Sequence, residues 1–155
     1  MAPTITGELV LKDQAIAVVA SRFNSMITQQ LITGAEDTFL RHGGDHDKLT
    51  VVWVPGSFEI PITVKRLAES GKYAGILALG ALIKGSTAHF DVLANEVTRG
   101  LAQLSLELPI PVSFGVLTAH NLEQALERAG TKAGNKGAEA MQSLIEMINL
   151  TDKLT

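Results

Sequence analysis

A glycine, two hydroxyl side chains and a histidine fall within five residues at Gly85-Ser86-Thr87-Ala88-His89. An apolar run precedes them, and residues at the spacing of an amphipathic helix follow. The first N–H groups of a helix are unpaired and its dipole favours an anion there. Gly85 permits close backbone approach, and Ser86 and Thr87 can add hydroxyl bonds, so the chemistry this spacing suits is phosphate binding. In a helix's first turn the dipole opposes positive charge, which leaves the His89 imidazole able to accept a proton. Residues 80–87 follow a P-loop only as far as the second glycine, where Ser86 stands in place of lysine, which argues against a nucleoside-triphosphatase. The same residues also suit an ordinary strand–turn–helix joint with a surface histidine.

Three further places carry chemical potential. Phe23, and Phe58 with Glu59 in PGSFEIP, follow apolar runs in a chain with only 5% aromatics. Exposed rings there could stack on a heteroaromatic ligand, with Glu59 accepting hydrogen bonds from it. Packed in a core, the same rings would be structural. Arg128, in ERAGTKAGNKG, could bind phosphate bidentately or simply complement a helix end. It lies toward the far end of its helix, so a neighbouring subunit's site is its natural reach. Among the remaining histidines, His42, His46 and His120, no pair has metal-ligand spacing on one helix, and neither a metal nor a cofactor is expected.

The elements that must position these residues alternate. Residues 14–20 (QAIAVVA), 49–54 (LTVVWV), 75–83 (GILALGALI) and 112–117 (VSFGVL) are apolar runs of strand length without alternation, as in strands buried on both faces. Helical spacing follows each: from about residue 25, with Asn24 or Ser25 as cap, to Gly43-Gly44; from Ile60 to Gly71; from about 88 to 107; and from about 122 to 129. A last helix carries Ala138, Met141, Leu144, Ile145 and Ile148 on one face. Residues 4–11 (TITGELVL) read as a short β segment outside the first βα unit, within an arm of residues 1–12. Four βα units and a closing helix predict an α/β chain, a flavodoxin-like three-layer α/β/α sandwich on a four-stranded parallel sheet. Ligands of such sheets bind beyond the carboxyl ends of the strands, on the rim carrying Phe23, Glu59, Gly85 and His89.

Composition excludes several classes. One domain spanning residues 1–155, 46% apolar and 19% charged, is globular rather than disordered. A net charge of −3 without a basic run gives no grip on nucleic acid. There are no cysteines for disulfides, thiolate chemistry or zinc–sulfur sites. No signal peptide or membrane-length apolar run is evident, so the cytoplasm is the expected compartment.

The segments Arg22-Phe23-Asn24, PGSFEIP, LGALIKGSTAHFD, FGVLT and ERAGTKAGNKGAEA, in this order and spacing, resemble the 6,7-dimethyl-8-ribityllumazine synthase family of riboflavin biosynthesis. The resemblance covers nearly the whole chain. It implies condensation of 5-amino-6-(D-ribitylamino)uracil with 3,4-dihydroxy-2-butanone 4-phosphate at sites between subunits of a homopentamer. Some members build sixty-subunit shells, and the uninterrupted residues 130–137 resemble theirs. Carried over, Phe23 would stack on the pyrimidine, and Ser57, Phe58 and Glu59 would hold the ribityl chain. Ala81, Leu82 and Ile83 would line the ring through their backbone, and Ser86 and Thr87 would grip the phosphate. His89 would shuttle protons. Phe114 and Arg128 would come from the neighbouring subunit, and the N-terminal arm would pair with one. Lys84 stands where many members have arginine, and Ala119-His120-Asn121 departs from the family pattern. A flavin- or nucleotide-binding module without turnover is the alternative reading on the same fold.

Overall fold

The computed structural model describes residues 1–85, 88–131 and 134–155. Ser86 and Thr87 of the expected phosphate turn therefore lie outside the described residues. Four strands, β1 (Ile16–Ser21), β2 (Leu49–Val54), β3 (Gly75–Ile83) and β4 (Val112–Ala119), form one parallel sheet in the order β2-β1-β3-β4. Among the described residues, five α-helices accompany them: α1 (Ser25–Arg41), α2 (Ile60–Glu69), α3 (His89–Glu107), α4 (Leu122–Arg128) and α5 (Lys136–Leu154).

The unalternating central strands β1 and β3 work as expected because both faces of the sheet are covered there, whereas the edge strands β2 and β4 are only partly buried. Ile16, Val18 and Ala20 of β1, with Leu77, Leu79 and Ala81 of β3, pack against α1, α4 and α5. The intervening Ala17, Val19, Ile76, Ala78 and Leu82 pack against α2 and α3. Side chains alternate across a strand, so one apolar run supplies two cores. Fully burying each large aliphatic side chain contributes about 1.5–3 kcal/mol. After β1 the chain moves outward to β2, then crosses back to β3 and on to β4. The order therefore reverses between β1 and β3, which opens a crevice at their carboxyl ends.

Pairing between β1 and β3 ends at Ala20↔Leu79, whereas β3 continues beside β4 to Ile83↔Ala119. That overhang keeps β4 in the sheet two residues beyond the apolar run that announces it. Helix α5 begins at Lys136, two residues ahead of the apolar face seen in the sequence, because Asn135 caps it by accepting from the Ala138 N–H at 3.0 Å.

The N-terminal segment differs from expectation. Among the described residues, none of residues 1–15 is in a strand. Instead residues 6–11 run along α5, where Asn149 Nδ2 donates to the Glu8 and Val10 carbonyls at 2.6 and 2.9 Å. Lys153 Nζ, one turn on, donates to the Thr6 carbonyl and the Glu8 carboxylate, both at 2.7 Å. The Lys153 hydrogen bond, with help from Glu8's own N–H, holds the Glu8 carboxyl below its usual range. Gly7 is needed there, since a Cβ would come 2.1 Å from the Glu146 carbonyl. Helix side chains thus satisfy the backbone groups that a strand partner would otherwise take.

Candidate active site

A groove of about 660 Å³ opens at the crevice between β1 and β3. Three strand ends and one helix build it. The loop after β1 supplies Phe23 and Asn24, the loop after β2 supplies Ser57, Phe58 and Glu59, and the end of β3 supplies Leu82, Ile83 and Gly85. Helix α3 closes the far side with His89, Val92, Leu93 and Glu96.

The loop after β1 is held at several points. Arg22 and Phe23 donate their N–H groups to the Val54 and Pro55 carbonyls at 2.7 and 3.2 Å. Asn24 sits at the N-cap of α1 in a left-handed conformation, φ 62° and ψ 40°, but makes no side-chain capping bond. Its amide instead crosses the crevice and donates to the Ala81 carbonyl at 2.9 Å. The capping role expected of Asn24 is thus replaced by a tie between two groove walls. With its backbone so held, Phe23 leaves 70% of its surface exposed, and Phe58 opposite leaves 68%. Phe39, by contrast, is fully buried. Phe23 and Phe58 are therefore wall residues, and the reading of them as core rings does not hold.

The floor comes from the overhang of β3. Backbone groups alternate from side to side along a strand, and Lys84 donates toward β4, to the Ala119 carbonyl at 2.8 Å. Residues 81 and 83 therefore turn toward the side that β1 has left. Ala81 is buried and its carbonyl is taken by Asn24, while Ile83 presents its backbone to the groove. Beneath the floor, a Cβ on Gly80 would come 2.7 Å from Ser21 Oγ and 3.3 Å from Ser57 Oγ, so only glycine fits. Among the described residues, Ser21 Oγ is buried with no hydrogen-bond partner.

His89 is the first residue of α3, exposed and on the groove. Val92, Leu93 and Glu96 follow it at i+3, i+4 and i+7, the spacing of one helix face. Reading the sequence by its loops leaves out these three, and also Asn24 as a wall residue. The helical spacing from His89 was the signal that could have found the three. The groove can hold a planar ring between exposed aromatics, meet its polar edge with the β3 backbone, and offer Ser57, Glu59 and His89 to hydroxyls and protons.

Two expected residues are elsewhere. Phe114, on edge strand β4, and Arg128, at the end of α4, line a separate hollow of about 410 Å³ with Lys136 and Glu139. Arg128 Nη1 donates to the Thr118 carbonyl at 3.3 Å. His120 lines a third hollow, between α3 and the end of β4, which Arg128 also reaches beside Phe90 and Asp91. Neither Phe114 nor Arg128 lines the groove that holds His89. Among the described residues, no three His, Asp or Glu side chains gather to hold a metal ion, and no helix is long and apolar enough to cross a membrane.

A family model described as 6,7-dimethyl-8-ribityllumazine synthase matches residues 13–152. A protein of that name from Nautilia profundicola is 55% identical over 152 residues, 97% of this chain and 99% of the relative. One from Campylobacter lari is 54% identical over 97% of both chains, and one from Chlorobium limicola is 56% identical over 94% of both. With this match across the βα units and the groove they build, the chain belongs to the 6,7-dimethyl-8-ribityllumazine synthase family.

Proposed function

We propose that this chain is an enzyme of riboflavin biosynthesis that condenses 5-amino-6-(D-ribitylamino)uracil with 3,4-dihydroxy-2-butanone 4-phosphate, releasing phosphate and water and forming 6,7-dimethyl-8-ribityllumazine. The observation that carries the reading is the groove itself, which places Phe23, Ser57, Phe58, Glu59, Leu82, Ile83 and His89 around one space. The pyrimidine stacks on Phe23, its polar edge meets the end of β3, and the ribityl hydroxyls meet Ser57 and Glu59. The amine adds to the butanone carbonyl and water leaves to form an imine. Phosphate is then eliminated, and a second addition with loss of water closes the ring. His89 moves protons between these steps, and Ser86 and Thr87 hold the phosphate next to it. Mixing the two substrates with the purified protein and following lumazine fluorescence tests the assignment. Flavin binding without consumption of the butanone phosphate would overturn it.

Phe114 and Arg128 complete the site from a neighbouring subunit. That neither of them lines the groove supports this reading. The assembly is a homopentamer, and pentamers build a sixty-subunit shell in the cytoplasm. Residues 1–6, exposed along their length, extend the N-terminal arm toward a neighbour. Sedimentation of the purified protein distinguishes pentamer from shell.

Arg128→Ala then weakens one substrate selectively. A hydrogen bond to a charged group contributes about 1.5–3 kcal/mol, so KM for the butanone phosphate rises roughly 10–100-fold. The KM for the pyrimidine moves little. Steady-state kinetics with each substrate varied in turn checks this, and an unchanged KM for the phosphorylated substrate removes the anchor.

A further inference from the structure

Helix α4 is seven residues long, and Ala125 is its one buried residue. Such a helix fixes its last residue, Arg128, through few contacts of its own: Ala125 and Leu126 against the core and the Arg128 bond to Thr118. The corner that follows is tied from the other side. Ala129 and Asn135 face each other in an isolated antiparallel bridge. The Asn135 amide donates to the Ala129 carbonyl at 3.1 Å and to the Gln30 carbonyl of α1 at 2.9 Å. Its oxygen accepts from the Ala138 N–H at 3.0 Å. Three of the four hydrogen bonds a carboxamide can make therefore join the end of α4, the middle of α1 and the start of α5. The fit on α1 is close, since a Cβ on Gly34 would come 2.4 Å from Asn135 Oδ1.

We propose that Asn135 is a positioning residue that holds the α4–α5 corner so that Arg128 stands ready for a substrate phosphate. The inference rests on the reading of Arg128 as the phosphate anchor. Asn135 touches no substrate. It acts through the Ala129 carbonyl, one peptide beyond Arg128, and through α1, which carries the corner's position to the sheet.

Asn135→Asp separates this role from capping. The variant keeps an oxygen for the Ala138 N–H, and a carboxylate suits a helix start. It loses both amide donors and sets an oxygen against two carbonyls. The KM for 3,4-dihydroxy-2-butanone 4-phosphate is expected to rise about tenfold, with kcat and the pyrimidine KM within about twofold, since one misplaced charged contact is lost and no reacting group moves. Combined with Arg128→Ala, the same substitution should leave that KM where Arg128→Ala alone puts it, because residues acting as a unit are not additive. Asn135→Ser, which also keeps a capping oxygen and loses both donors, gives the same split should the aspartate variant fold poorly. An equal rise in both backgrounds, or a lower kcat with unchanged KM, overturns the proposal. A rise for Arg128→Ala with none for Asn135→Asp overturns it alone. No rise for Arg128→Ala overturns the anchor reading and this proposal together.

Discussion

His89→Ala is expected to lower kcat by roughly 10²–10⁴-fold, the range a positioned acid–base group contributes, while both KM values stay within a few-fold. That loss corresponds to about 2.7–5.5 kcal/mol of barrier. The fold should survive it, because His89 is exposed at the start of α3 and that helix is anchored by buried Val97 and Leu101 further along. Binding should survive as well, since the ring-stacking and hydroxyl contacts assigned to Phe23, Phe58, Ser57 and Glu59 come from other elements. What remains is proximity: holding two reactants in near-attack geometry contributes up to about 7–11 kcal/mol, enough for measurable residual turnover. Single-turnover and steady-state rates on the folded variant check the division. Loss of substrate binding alongside turnover would show that His89 builds the groove rather than moving protons in it. A kcat within twofold of the parent would remove it from the chemistry.

How much of this was legible in the sequence depends on where the deciding partner lies along the chain. The bounds of β2 and β3 follow from apolar runs closed by Lys48, Pro55 and Lys84, and local composition sufficed. The rim location followed too, because four βα units point their strand ends one way. Expectation failed where a distant residue outcompeted a local one. Asn24 reads as a helix cap, yet the Ala81 carbonyl, 57 residues on, takes its amide. The segment 4–11 reads as β, yet Asn149 and Lys153 of the last helix satisfy its carbonyls. β4 outruns its apolar residues because β3 offers a ladder to Ala119. On the site, Phe23, Phe58, Glu59 and His89 were legible as types on loops or helix starts. Their exposure was not, since an apolar ring after a strand serves core and groove equally. Phe114 came from family resemblance alone, whereas Arg128 was legible as a phosphate-binding type near a helix end; neither lines the groove of its own chain.

Gly137→Ala sets two effects of opposite sign against each other. Gly137 lies in the first turn of α5, where alanine is favoured over glycine by about 1 kcal/mol on helix propensity alone. Propensity therefore predicts a small stabilisation. The contact predicts otherwise. A Cβ there would come 2.0 Å from the Leu31 carbonyl oxygen, 2.7 Å from its carbon and 2.9 Å from its Cα. These are backbone atoms inside α1, at a residue that is itself fully buried, so no side chain can swing aside. Relief requires α1 and α5 to separate, loosening Met141, Leu144 and Ile145 from the core they share with Leu31 and Phe39. Overpacking typically costs about 1–3 kcal/mol and more where the structure cannot yield. A net loss of about 3 kcal/mol is expected, or a fall of roughly 6–12 °C in the unfolding midpoint for a chain of this size. Thermal unfolding of the purified protein decides between the two. A midpoint equal to or above the parent's would mean that propensity wins and that α5 does not approach α1 backbone to backbone. A fall on the expected scale would show that α5 is held by the absence of a single methyl group, at the same turn where Asn135 caps the helix.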